Sequence, residues 1–153
     1  MKIKIIVMVL FIICGISLSI FILDKTFLPL LVFNLYCNTS NDTILRGVHT
    51  HGKKEMNIYY KYLFNKNNKI NSMLEQQFFD ERQTNLIFGE VELKRGDVAW
   101  ALYTDINFDD SFYDILLNEY TSLTGYYLFL ATIRDPSMRS DILYIYKVFC
   151  NNR

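Results

Sequence analysis

Met56-Asn57-Ile58-Tyr59-Tyr60-Lys61-Tyr62-Leu63-Phe64 is the stretch on which the fold turns. Apolar or aromatic residues stand at 56, 58, 60, 62 and 64, a period of two that predicts a half-buried strand. Asn65-Lys66-Asn67-Asn68 follows, and because Asn tolerates positive φ a turn is expected there. Residues 70–80 admit two readings. Ile70, Met73, Leu74 and Gln77 share a helix face, while a second hairpin arm is equally compatible.

Toward the C-terminus, residues 86–93 and 98–103 are apolar runs flanking Lys94-Arg95-Gly96-Asp97, the pattern of a hairpin turn. Arg95-Gly96-Asp97 also spells an integrin-recognition tripeptide, which a turn explains more simply. Asp109-Asp110-Ser111 can cap a short helix, with Ser111 and Asp114 at capping-box spacing. Phe112, Ile115, Leu116, Glu119 and Tyr120 would form its mostly apolar face. Residues 126–133 are apolar enough for a buried strand. Asp135-Pro136-Ser137 reads as a turn, and residues 142–150 read as the last strand. The expected domain is α+β, antiparallel and strand-dominated, with one or two short helices and scope for barrel-like closure.

Toward the N-terminus, residues 27–36 are apolar but too few to span a bilayer. Leu31-Val32-Phe33 and Pro29 suit a first strand or an interfacial segment, and a helix packed on a partner's transmembrane segment is the alternative. Residues 38–54 form a polar lead-in. Lys2 and Lys4 precede an uncharged run over residues 5–23, closed by Asp24 and Lys25. A helix rising about 1.5 Å per residue needs roughly twenty residues to cross the hydrocarbon core, so this run predicts a single transmembrane helix. The small residues Gly15, Ser17 and Ser19 lie within the apolar core, which favours a retained anchor over a cleaved signal. The positive-inside rule then gives a cytoplasmic tip at 1–4, a span at 5–23, a membrane-proximal segment at 24–54 and a periplasmic domain at 55–153, packed with 27–37. The expected location is the inner membrane.

Composition narrows the function. The chain has 16 basic and 16 acidic residues and no basic stripe, which argues against direct nucleic-acid binding. Hydrophobic residues make up 51% of it, enough to build a core and exclude a disordered tail. Cys37 and Cys150 bracket the expected exported domain and would be a disulfide candidate in an oxidising compartment, or else two separate thiols. Cys14 reads as a small apolar residue.

The residues suited to catalysis are few. His49 and His51 could supply two metal ligands on one side of an extended chain, but no Cys, Asp or Glu at a recognisable spacing completes a site. As titratable groups near neutrality they are candidate pH sensors. Glu90 and Glu92, with Asp105, Asp109 and Asp110 downstream, read as solvated carboxylates. No G-x-S-x-G, P-loop or H-E-x-x-H motif occurs. Neither a catalytic residue nor a cofactor is expected. Asn38-Thr39-Ser40 and Asn41-Asp42-Thr43 are glycosylation sequons and leave open an alternative, a type II membrane glycoprotein of viral or eukaryotic origin with a binding role.

From Met1-Lys2-Ile3-Lys4 to Phe149-Cys150-Asn151-Asn152-Arg153, the chain resembles the PsaF/MyfF proteins encoded beside the PsaE/MyfE regulators of Yersinia fimbrial operons. More loosely it is similar to ToxS and FidL-type proteins. The resemblance rests on size and layout rather than a motif. It implies a non-enzymatic partner that binds and stabilises the periplasmic domain of a membrane-bound winged-helix transcription activator. Through that partner, pH or temperature would be coupled to fimbrial or virulence gene expression. It also implies β-structure shared with the partner around an apolar cavity that could take a small apolar ligand. Tyr60, Tyr62, Phe64, Tyr127 and Phe129 are the expected interface residues, on strands left with unpaired edges.

Overall fold

The computed structural model describes residues 15, 17, 27–39, 58–88, 90–120 and 125–152. Among them it has seven α-helices, a 3-10 turn at Asn67–Ile70 and two strands. The helices are α1 (Leu28–Cys37), α2 (Ile58–Asn65), α3 (Asn71–Glu75), α4 (Arg95–Asn107), α5 (Asp110–Glu119), α6 (Gly125–Arg134) and α7 (Ser137–Asn151). The strands β1 (Gln83–Phe88) and β2 (Val91–Lys94) pair antiparallel, with Ile87 opposite Glu92 and Phe88 opposite Val91. The strand-dominated expectation is therefore corrected: among the described residues the protein is mostly helical, with one hairpin.

Side-chain chemistry accounts for the correction. In the 56–64 stretch nearly every position is apolar or aromatic, so the alternation at even numbers coexists with a helical pattern. The helix buries Tyr60 and Leu63, three apart, and leaves Ile58 75% exposed. Residues 98–103 form part of α4 and are all buried. A short, wholly apolar run carries no periodic signal that separates a buried strand from a buried helix. The expected turn at 65–68 is present, with Asn67 at φ 56°. Of the two readings at 70–80, the helical one holds where Ile70 and Leu74 are buried four residues apart.

The hairpin lies earlier than expected. Lys94-Arg95-Gly96-Asp97 is a helix start rather than a turn between strands. The Lys94 N–H donates to Asp97 Oδ2 (2.7 Å), the Arg95 N–H to the Arg82 carbonyl (2.9 Å) and the Gly96 N–H to the Asp80 carbonyl (2.9 Å). Amides at a helix N-terminus have no partner within the helix, and here carbonyls from residues 80–82 and one carboxylate accept them. α4 is the axis of the fold, buried continuously from Arg95 to Thr104, with α2, α3 and α6 against it. α1 packs on α2 and touches β1, while α7 lies against α5 and α6.

Aromatic contacts join these layers. Phe78 meets Trp100 and Tyr103 edge-on at 5.1 and 5.2 Å, and Phe108 meets Phe112 at 4.5 Å. Tyr146 of α7 lies 4.9 Å from both Phe108 and Phe112. The edge-to-face pairs among these add about 0.5–1.5 kcal/mol each beyond the area they bury. The α5 helix expected from the sequence is present. Asp109 caps it by accepting from the Phe112 N–H (2.9 Å), and Phe112 and Leu116 are fully buried.

Among the described residues no helix is long and apolar enough to cross a membrane. The expected single-pass inner-membrane placement is corrected accordingly. The run at 5–23 on which it rested lies outside the described residues, apart from Gly15 and Ser17, which are helical. The 1–4 tip and most of the polar lead-in, with both sequon serine and threonine positions 40 and 43, also lie outside them.

Candidate functional site

Two features stand out once the core is assigned: a polar corner at the start of α4 and an apolar face on α1. At the corner, Asp80 takes a salt bridge from Arg82 (2.5 Å) and another from Arg95 (3.0 Å). The hydrogen bond from Arg82 and the nearby Arg95 charge hold the Asp80 carboxyl down to about 2. Arg95 also donates to Asn34 Oδ1 of α1, and its guanidinium stacks 5.1 Å from the centre of the Phe33 ring. Gly96 is closely enclosed: a Cβ there would sit 2.5 Å from the Phe78 carbonyl oxygen and 2.9 Å from Arg139 Nη1. Arg139 is buried and donates to Asp97, to the Phe78 carbonyl and to the Thr132 carbonyl. Arg95, Gly96 and Asp97 are thus structural, and a buried tripeptide is closed to an integrin.

α1 divides into two faces. Pro29, Phe33, Tyr36 and Cys37 are buried. Leu28, Leu31 and Leu35 are 37%, 41% and 45% exposed, and Phe27 just ahead of the helix is 56% exposed. At about 100° per residue the exposed leucines fall within roughly 60° of the helix circumference, opposite the buried arc. The sequence Leu28–Cys37 has no charged residue, so this face is both apolar and neutral. The residues were visible in the sequence, but only the helical assignment gathers them on one side.

The expected interface residues are dispersed. Tyr60 is buried at 4% exposure, where its ring meets Tyr36 edge-on at 5.8 Å, so it is a core residue. Tyr62, Phe64 and Phe129 are partly buried against the core, and Tyr127 is 58% exposed. The strands expected to present them are helices α2 and α6. Cys37 and Cys150 are free thiols in place of the expected bridge. Cys37 is buried at the end of α1 near Arg95 and Asp80, and burial pushes its thiol up to about 12. Cys150 is exposed on the last turn of α7. His49 and His51 lie outside the described residues. Among the described residues no group of three or more His, Cys, Asp or Glu is placed to hold a metal ion.

The carboxylates expected to be solvated separate into different roles. Asp109 caps α5, whereas Asp105 turns its carboxyl inward to accept from the Tyr60 hydroxyl. The sequence held no separate signal for Asp105, because α4 is buried at every position from Arg95 to Thr104 and so shows no single apolar face.

No protein-family model, no curated protein and no solved structure matches this chain.

Proposed function

We propose that the chain is a non-enzymatic regulatory partner, a small helical protein that binds and stabilises a domain of a winged-helix transcription activator encoded beside it. The resemblance to PsaF/MyfF proteins supplies the class of partner and the link to fimbrial or virulence gene expression. The exposed stripe Leu28, Leu31 and Leu35, with Phe27 beside it, is the observation that carries the binding role. Contiguous apolar surface on a folded domain is a recurrent mark of protein–protein contact. An uncharged stripe with i, i+3 and i+7 spacing fits an apolar helix of the partner, laid into it as in helix-in-groove recognition. Neutrality over all ten residues of α1 favours that occupant over a charged surface.

Co-expression of the full chain with the adjacent regulator, followed by tandem-affinity purification and mass measurement, tests the reading. A stable complex that protects the regulator from proteolysis is expected. A regulator equally stable with and without the chain, and no complex, would refute it.

A further inference from the structure

Asp105 lies on α4 where α1, α2 and α5 converge. Its Oδ2 accepts a hydrogen bond from the Tyr60 hydroxyl of α2. Its Oδ1 is shut off from solvent and has no hydrogen-bond partner among the described residues. Among the described residues the titratable groups facing it are Tyr36 from α1, Tyr60 from α2 and Tyr113 from α5, phenols that are uncharged near neutral pH. The ion pairs among the described residues are Arg82–Asp80, Arg95–Asp80, Arg139–Asp97 and Lys147–Glu75, and Asp105 belongs to none of them. Among the described residues an ionised carboxylate here would be buried with one donor and no countercharge, an arrangement proteins avoid by keeping the proton. Burial accordingly holds this carboxyl well above the usual carboxylate range.

The helix opposite packs on α1 and α4. α2 is eight residues long and buries Tyr60 and Leu63, while the Tyr62 hydroxyl on the same helix is also buried with no hydrogen-bond partner among the described residues. Releasing α2 would hydrate both orphaned oxygens, which offsets part of the lost packing. We propose that Asp105 is a latch for α2, holding Ile58–Asn65 on α4 while its carboxyl carries a proton and releasing that helix when the carboxyl ionises. The docked state then binds one more proton than the released state at any pH between the ordinary carboxyl value of 3.8 and the raised docked value. Docking is strongest below 3.8 and weakens as pH rises, until the docked carboxyl itself ionises.

Hydrogen exchange of the full chain across a pH series, corrected for intrinsic amide rates, tests this latch. Protection of residues 58–65 should fall about tenfold per pH unit within that window, while residues 137–151 keep theirs. In Asp105→Asn, which retains an acceptor for Tyr60 but cannot ionise, protection of 58–65 should not change with pH. A flat wild-type profile, an unchanged slope in the variant, or a parallel fall at 137–151 would overturn the proposal. Should the variant not fold, carbon-13 titration of the wild-type Asp105 carboxyl decides: an inflection well above 3.8 is required, and one at or below 3.8 would overturn the latch.

Discussion

Arg139 of α7 and Asp97 in the first turn of α4 form an ion pair with both side chains sealed from solvent, across a sequence separation of 42 residues. The guanidinium also takes the Phe78 and Thr132 carbonyls, so one side chain joins α7, the end of α6, the segment after α3 and the start of α4. Burial lowers the Arg139 pKa, and the Asp97 charge and hydrogen bond oppose that effect. The pair is matched by hydrogen bonds on both sides, the condition under which a buried ion pair is tolerated.

Replacing Arg139 by Met removes the cation and leaves Asp97 buried. Urea unfolding should show a loss of about 3–5 kcal/mol, the usual consequence of breaking a buried pair on one side. Adding Asp97→Asn to that variant should recover part of the loss, because it removes the stranded charge. Equal stability of Arg139→Met and wild type would mean that the pair is not buried as described.

Gly96→Ala tests the close approach at the same corner. The added methyl meets a backbone carbonyl at 2.5 Å, and a carbonyl tied into the Arg139 network cannot turn aside. Overpacking of this kind costs about 1–3 kcal/mol. The measurement is again the urea midpoint, with an unchanged slope expected if the native fold persists.

Asp80 should contribute to acid sensitivity. Its folded value of about 2 lies below the ordinary 3.8, so the unfolded state binds more protons between them. Its stabilisation is present above 3.8 and is lost as pH falls toward 2. The effect is modest because Arg82 is exposed to solvent. Asp80→Asn should flatten this part of the acid limb while leaving the pH dependence above 5 unchanged, as measured by chemical unfolding at a series of pH values.

Asp109→Ala removes the side-chain acceptor of the Phe112 N–H. A loss of about 1 kcal/mol is expected, with α5 fraying first. Hydrogen exchange of residues 110–119 would register that local change.

Elements with their own local chemistry were legible in the sequence. The Asn67 turn follows from asparagine's tolerance of positive φ, and α5 follows from Asp109 and the Phe112–Leu116 spacing. The C-terminal helix was legible in principle. Arg139, Ile142, Tyr146 and Phe149 recur at helical spacing and face inward, but the apolar run 142–150 suits a strand if read alone. Including Arg139 requires a charged residue at a core position, which pattern reading rejects until its partners Asp97, Phe78 and Thr132 are known. The same applies to Asp105, because burial of a carboxyl opposite three phenols depends on helices that meet only in the folded chain. The α1 stripe was hidden for a simpler reason. In a segment with no charge, no polar face marks the outside.

The most direct test of the proposed binding role is substitution of Leu28, Leu31 and Leu35 together by Asp, followed by affinity measurement against the co-expressed regulator. These side chains are 37–45% exposed, so helical circular dichroism should persist and the urea midpoint should fall modestly at most. At least a tenfold loss of affinity is expected, about 1.4 kcal/mol or more. Wild-type affinity in the correctly folded triple variant would contradict it.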